Sequence, residues 1–574
     1  MGEHIKFHSK AIQNKGIKPF LLSILCLVFG CITMFGQVGS SRVNNLESKQ
    51  NKGQSFFSNK TMEQSSLVSN ATTIKVKEKG LCKLTAKYKD NDEKIIARLQ
   101  KLADSLLKAR GIPALGFGII KDGKVILNEG FGYRDYENKL KTDANTMFAI
   151  GSCTKAFTAA TVAILNDKEL IEWDKPVKNY MPDFELYDKF ATQETTALDL
   201  LTHRSGLPRH DLIWYGSNAK RMELYSRLKF LEPTKSFRTT FQYQNLMYMT
   251  AGVLVEKMSG MTWEDYTKSQ IIDPIGMSQT HFSTEKSKKM KNVAYPYTIE
   301  NGSAKRINFR NIEEVGPAGS INSNINDMLK WVELNLNRGT WEGEQIISDE
   351  QFEVLHKGHI TIDNSLGNRL QPEYGPFTYG GGWFICEYKG EKIIWHGGGI
   401  DGFSALVWLI PEFNIGMVLI CNVMSSSLPR VLANYASDLF LGLESPYDWV
   451  ENAWPSQKNN ESNNQDNILE ERDKDKILNT KPSQPLVNFT GTYTNPGYGK
   501  IYCKFKEGNL NVEYNSLYLQ LSHYHFDVFE GLDIKNKTTR FKIQFHQNLD
   551  GSIKYLSVPL QSGIDPILFK KSDK

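Results

Sequence analysis

The sequence predicts an α+β protein in which an antiparallel sheet is flanked by a helical region, with a small all-β domain appended at the C-terminus. Three observations carry that expectation. Strand-like segments stand at both ends of residues 93–443, and helical patterns fill the middle. A polar tract over residues 444–485 then interrupts the chain, and residues 486–574 read as alternating strands with almost no helical period. At 574 residues the chain also exceeds what one hydrophobic core usually organises, so two folded units suit its length.

Residues 1–36 read as an export segment. Lys6, Lys10, Lys15 and Lys18 precede the apolar run from Phe20 to Phe35. That run is short for a membrane span of roughly 20 residues and long for a cleaved signal core of roughly 7–15. A cleaved signal peptide and a membrane tether both remain open, and either delivers the rest of the chain, secreted or anchored, to the extracytoplasmic side. Residues 37–92 are rich in Ser, Asn and Lys without a sustained apolar period, which predicts a polar spacer.

A helix is expected from Glu93, where Ile and Leu recur three and four apart until Gly111 closes the pattern. A hairpin follows, two apolar strands around Asp122-Gly123. The far end of the domain carries IIWHGGGIDGFSALVWLIPEFNIGMVLICN and then a helix near SSSLPRVLANYASDLFLGL. After the linker, turns at Glu507-Gly508 and Asp550-Gly551 separate alternating runs, which fits a small sheet or barrel.

The charge, +5 from 69 basic and 64 acidic residues, is interspersed along the chain and argues against a nucleic-acid partner. Two of seven cysteines, Cys26 and Cys31, lie in the export segment; Cys82, Cys153, Cys386, Cys421 and Cys503 form no disulfide framework and are expected as mostly buried thiols. Glycosylation sequons begin at Asn59, Asn70, Asn301, Asn460, Asn488 and Asn536.

The chemistry is expected at Ser152-Cys153-Thr154-Lys155, where a Gly-Ser junction opens into an apolar helix. On a helix Ser152 and Lys155 share one face. A serine hydroxyl becomes a nucleophile when a nearby base takes its proton, and an uncharged lysine can serve. By itself S-x-x-K is common by chance, and such a serine is more often a cap or surface residue.

Two further motifs follow in order, Tyr243-Gln244-Asn245 and His396-Gly397-Gly398. Together with Ser152 to Lys155 they resemble the S-x-x-K, Y-x-N and [KH]-x-G set of serine hydrolases of the class C β-lactamase and penicillin-binding-protein kind. LLTHRSGLP, the helix ending in DPIGM, and GPAGSINSNINDMLKW resemble stretches around the site in such proteins, and the similarity spans about Glu93 to Leu443. The resemblance implies Ser152 as acylated nucleophile, Lys155 as its base, Tyr243 as a second proton carrier and Asn245 as the residue orienting Lys155 and substrate. It places His396, Gly397 and Gly398 on the substrate side of a strand, with the oxyanion hole formed by the backbone N–H groups of Ser152 and Gly399. The β-lactamases typically carry lysine where this chain has His396, so esterase or D-amino-acid peptidase activity on a small-molecule or peptide acyl substrate is expected rather than efficient β-lactamase activity. No cofactor or metal is required, and the C-terminal domain is expected to cover the mouth of the site or to bind a partner whose identity the sequence leaves open.

Cys153 is expected to point into packing rather than to supply a thiol nucleophile. His356 with His359, and His523 with His525, lack a third group at ligand spacing. Gly380 to Gly382 precede a strand-like segment, which suits a hairpin edge and not a phosphate cradle. The rival class is a catalytically retired extracellular structural, matrix or binding protein.

Overall fold

The computed structural model describes residues 91–363, 374–443, 449–450, 474–535 and 539–572. The export segment, Cys82, most of the spacer and linker, and the sequons at Asn59, Asn70, Asn460 and Asn536 lie outside the described residues. Among the described residues no helix is long and apolar enough to cross a membrane.

The first helix, α1 (Asp92–Arg110), has its start and stop encoded locally. The Asn91 side chain accepts from the Glu93 N–H at 3.0 Å, acidic residues occupy the first turn and basic ones the last, and Gly111 takes the left-handed φ of +64° that ends it. Ile95, Leu99, Ala103 and Leu106 form its buried stripe. Strands β1 (Ala114–Lys121) and β2 (Lys124–Asp135) then pair through Asp122 and Gly123, both at positive φ as a two-residue hairpin turn requires.

Every pairing in the main sheet is antiparallel. With β3 (Leu140–Lys141), β4 (Ile360–Thr361), β5 (Thr378–Tyr379), β6 (Phe384–Tyr388), β7 (Glu391–Ile400), β8 (Phe403–Ile410) and β9 (Ile415–Cys421), the strand order is β4-β5-β6-β7-β8-β9-β1-β2-β3. The two ends of the domain thus meet in the β1–β9 ladder, where Leu115 faces Cys421 and Lys121 faces Ile415. The centre of the sheet is covered on both faces, so β8 and β9 are buried throughout and read as continuous apolar runs.

Among the described residues four longer helices follow, α2 (Thr154–Asp167), α3 (Asn245–Ser259), α4 (Ile325–Leu336) and α5 (Leu428–Phe440), with α4 and α5 packed on the sheet and α2 and α3 packed on each other in the helical region. One face packs on α4 so closely that a Cβ at Gly118 would lie 2.6 Å from Ile325. Leu115, Phe117 and Ile119, on the other face, join the apolar cluster of α1 and α5. Helix α2 is buried on every side from Thr154 to Leu165, as a central helix must be, and Phe157 stacks on Trp331 with centroids 3.9 Å apart.

The C-terminal unit is a closed barrel of eight strands: β10 (Gly491–Asn495), β11 (Gly499–Lys506), β12 (Asn509–Tyr514), β13 (Leu517–His525), β14 (Val528–Asp533), β15 (Arg540–Gln547), β16 (Ile553–Val558) and β17 (Ile567–Lys571). Pairing of β10 with β17 removes the free edges a small sheet would expose. Residues alternate between barrel interior and solvent along β12 and β15. Buried apolar residues run without a break from α2 and α3 through Leu212, Leu228 and Leu231 into Tyr498, Tyr514 and Phe569 of the barrel.

Cys153, Cys386, Cys421 and Cys503 are buried free thiols. His356 packs on Phe352 and Trp383, His359 Nε2 meets the Val354 carbonyl, and His523 Nε2 meets the Phe526 carbonyl. Among the described residues no three His, Cys, Asp or Glu side chains gather as a metal site would need. Burial lowers His356 and His396 from the usual 6.5 to about 3 and His210 to about 4. The unfolded chain binds these protons first, so stability is full above pH 6.5 and is lost as the pH falls towards 4, by roughly 2 kcal/mol per ring at pH 5. Thermal melts followed by circular dichroism should show Tm flat from pH 7 to 8 and falling steeply between pH 6 and 4.

Candidate active site

The backbone ahead of α2 is set by glycines. Gly151 adopts φ +51° in a single 3-10 turn, Gly151–Cys153, that presents Ser152 at the entrance to the helix. Strand β7 runs directly against this turn. A Cβ on Gly398 would lie 1.9 Å from the Ile150 carbonyl oxygen and 3.2 Å from the Ser152 nitrogen, and one on Gly151 would lie 2.7 Å from the Gly399 nitrogen. Only glycine permits so close an approach. The Cys153 thiol donates to the His396 carbonyl at 3.3 Å, fastening turn to strand from inside the core.

Lys155 lies one helical turn beyond Ser152 and is fully buried. Its Nζ is 3.1 Å from Ser152 Oγ, 2.8 Å from Asn245 Oδ1 and 2.8 Å from the Ala318 carbonyl. Asn245 opens α3, whose preceding residue Gln244 caps it by accepting from the Leu246 N–H. The Asn245 amide is turned by its own partner: Nδ2 donates to Asp211 Oδ1 at 3.0 Å, which leaves Oδ1 facing Lys155. Asp211 is buried and also receives Trp214 Nε1 at 2.8 Å and Arg209 Nε at 2.6 Å. A polar line therefore runs Ser152, Lys155, Asn245, Asp211, Arg209.

Tyr243 stands beside it. Lys155 Nζ lies 4.7 Å from the centre of its ring and the Arg209 guanidinium 5.0 Å, while His203 packs on it at 4.4 Å. Ser152, Tyr243, Asn245 and Gly399 share one cleft with Arg209, Trp214, Tyr215 and Ile400, about 510 Å³ of empty space open to solvent. Tyr215 is fixed in the wall by donating to Asp401 Oδ1 at 2.6 Å; Asp401 in turn binds Arg310 at 2.9 Å.

The structure thus brings Ser152, Lys155, Tyr243, Asn245 and Gly399 together, and one expectation changes. His396, Gly397 and Gly398 were expected to meet substrate, but they stand behind the cleft wall, which β7 supplies through Gly399 and Ile400. Strand alternation puts position 396 on the same face as Gly398, beneath the Ser152 turn, where the imidazole is fully buried. Its Nε2 meets Tyr379 Oη at 3.0 Å and its Nδ1 the Gly397 carbonyl at 2.7 Å, so the ring donates from Nδ1 and accepts at Nε2. Burial, aided by the Lys155 charge, keeps it neutral. Sequence reasoning missed Arg209, Asp211, Trp214, Tyr215 and Asp401. The dense polar and aromatic string RHDLIWY was the one available signal, and its spacing announces no partner.

Residues 99–441 match the family model described as Beta-lactamase. The chain belongs to the β-lactamase family of serine hydrolases. Residues 475–571, the barrel, match a domain of unknown function (DUF3471). A relative of this β-lactamase-family chain, unguisins hydrolase from Aspergillus campestris (strain IBT 28561), is 27% identical over 447 residues, spanning 73% of this chain and 79% of that one. Among solved structures, the octameric penicillin-binding protein homologue from Pyrococcus abyssi superposes with a TM-score of 0.53 at 22% identity, covering 83% of this chain and all of that one (100%). The D-amino acid amidase from Ochrobactrum anthropi SV3, complexed with L-phenylalanine amide, gives 0.50 at 20% identity over 61% of this chain and 97% of that one. At those identities the two structures establish the fold.

In this family member the Gly398 contact admits a direct check. Gly398→Ala should force β7 and the Ser152 turn apart, costing about 1–3 kcal/mol of stability and most of the reactivity of Ser152. Both effects are measurable on one sample, by thermal melt and by covalent serine labelling.

Proposed function

We propose that the chain is an exported serine hydrolase that forms an acyl-enzyme on Ser152 and cleaves esters or amides of D-amino acids or small peptides. The observation that carries the reading is the Lys155 environment. Asn245 Oδ1 and the Ala318 carbonyl can only accept, so they hold two N–H bonds of Nζ and aim its third direction at Ser152 Oγ 3.1 Å away, where the amine, once it has lost its proton, presents a lone pair to the hydroxyl. Lys155 then takes the proton as Oγ attacks the substrate carbonyl. The backbone N–H groups of Ser152 and Gly399 stabilise the oxyanion, and the Tyr243 hydroxyl returns a proton to the leaving group. Water attacks the acyl-enzyme by the same route in reverse.

The neutral, buried His396 supports the choice of substrate. A lysine on β7 would give a β-lactam carboxylate a fixed cation, whereas this imidazole lies behind the wall and carries no charge. Relatives named for the hydrolysis of unguisins and of D-amino acid amides agree with amide or ester cleavage. Export rests on the basic flank and apolar run of residues 1–36. The retired-scaffold alternative predicts losses in the Ser152–Lys155–Asn245–Asp211 line, whose members all retain their partners.

Two measurements test this reading. Intact-mass analysis should show one fluorophosphonate adduct per chain on the wild type and none on Ser152→Ala; a folded wild type that stays unlabelled sinks the proposal. For a p-nitrophenyl ester, kcat/KM should fall at least about 100-fold in Lys155→Met and exceed that for nitrocefin in the wild type. Because His396 is already neutral, its titration near 3 leaves no limb in the pH–rate profile between 5 and 8.

A further inference from the structure

Three turns at one end of the barrel converge on the segment that builds the cleft wall. Tyr498, between β10 and β11, donates its hydroxyl to His210 Nδ1 at 2.6 Å, while His210 Nε2 donates to the Glu232 carbonyl at 3.0 Å. Gln561, between β16 and β17, accepts from the His210 backbone N–H at 2.6 Å. Asn515, in the β12–β13 turn, donates to the Leu212 carbonyl at 2.6 Å, and its neighbour Ser516 packs against Gly216.

The clamped residue is strained. His210 is fully buried with φ +48°, a left-handed conformation that a residue with a Cβ keeps only when its surroundings impose it. Its chain neighbours are Arg209, which lies over Tyr243, and Asp211, which turns the Asn245 amide towards Lys155. Trp214 and Tyr215 of the cleft wall follow within the same segment.

We infer that the C-terminal barrel completes the active site, with Tyr498, Gln561 and Asn515 acting as positioning residues that hold residues 209–215 in the conformation needed to align Lys155 through Asp211 and Asn245. The inference rests on the hydrolase reading above. None of the three touches the reacting atoms. Their effect should therefore fall on the acylation rate and kcat, with KM little changed.

The test uses the full chain. Tyr498→Phe keeps the ring and removes one hydroxyl; Gln561→Ala removes the acceptor for the His210 N–H, and Gln561→Glu restores one. Loss of each neutral hydrogen bond should slow fluorophosphonate acylation of Ser152 and lower kcat on a p-nitrophenyl ester about five- to tenfold. Gln561→Glu should recover most of the rate, and the exposed barrel variant Phe505→Ser should behave as wild type. Wild-type rates in folded Tyr498→Phe and Gln561→Ala overturn the inference, as does a Gln561→Glu as slow as the alanine variant. Should the Tyr498→Phe variant fail to fold, the two Gln561 variants decide alone. An unlabelled wild type instead overturns the hydrolase reading and this inference with it, a different result from labelling that ignores the barrel.

Discussion

Burying one amine sets the terms for the catalytic half of this protein. Lys155 sits inside a helix-rich core with no exposed surface, and a buried amine is tolerable only where acceptors are waiting for it. Three elements supply them: α3 through Asn245, the turn at Ala318, and the start of α2 through Ser152. That requirement ties α2, α3 and the 313–318 turn to one point. Asp211 then extends it to the segment that walls the cleft.

The second constraint is steric. A nucleophile at the head of a helix is useful when a strand edge passes close enough to offer backbone N–H groups to the same carbonyl oxygen. Gly151 and Gly398 allow the Ser152 turn and β7 to meet at a distance no side chain would permit. Nearby residues protect the arrangement, His396 by filling the space beneath the turn as a neutral ring held by Tyr379 and Cys153 by bonding the strand carbonyl. His396 itself lies behind the cleft wall, and Gly399 and Ile400 form the wall.

The barrel belongs to the same mechanical unit. Its apolar interior is continuous with the core of the β-lactamase-family domain, and its turns reach the residues beside Asp211. The linker between the two units is long and polar, so its composition suggests independence that the packing denies.

What the sequence determined by itself is whatever short-range chemistry encodes. Asn91 and Gly111 bound α1, Asp122-Gly123 makes the hairpin, alternation marks the barrel strands, and S-x-x-K places Ser152 and Lys155 on one helical face. Motif resemblance added Tyr243 and Asn245, which stand where expected beside Lys155. Tertiary structure alone decided the rest, because the partners are far apart in the chain and no local pattern records their meeting. Asp211 reaches Asn245 only when the 209–215 segment folds back, and His396 faces the core only because strand alternation and the depth of β7 put it there. The barrel's grip on His210 joins residues separated by 288 and 351 positions, a contact set by the docking of two cores and by nothing in either stretch of sequence.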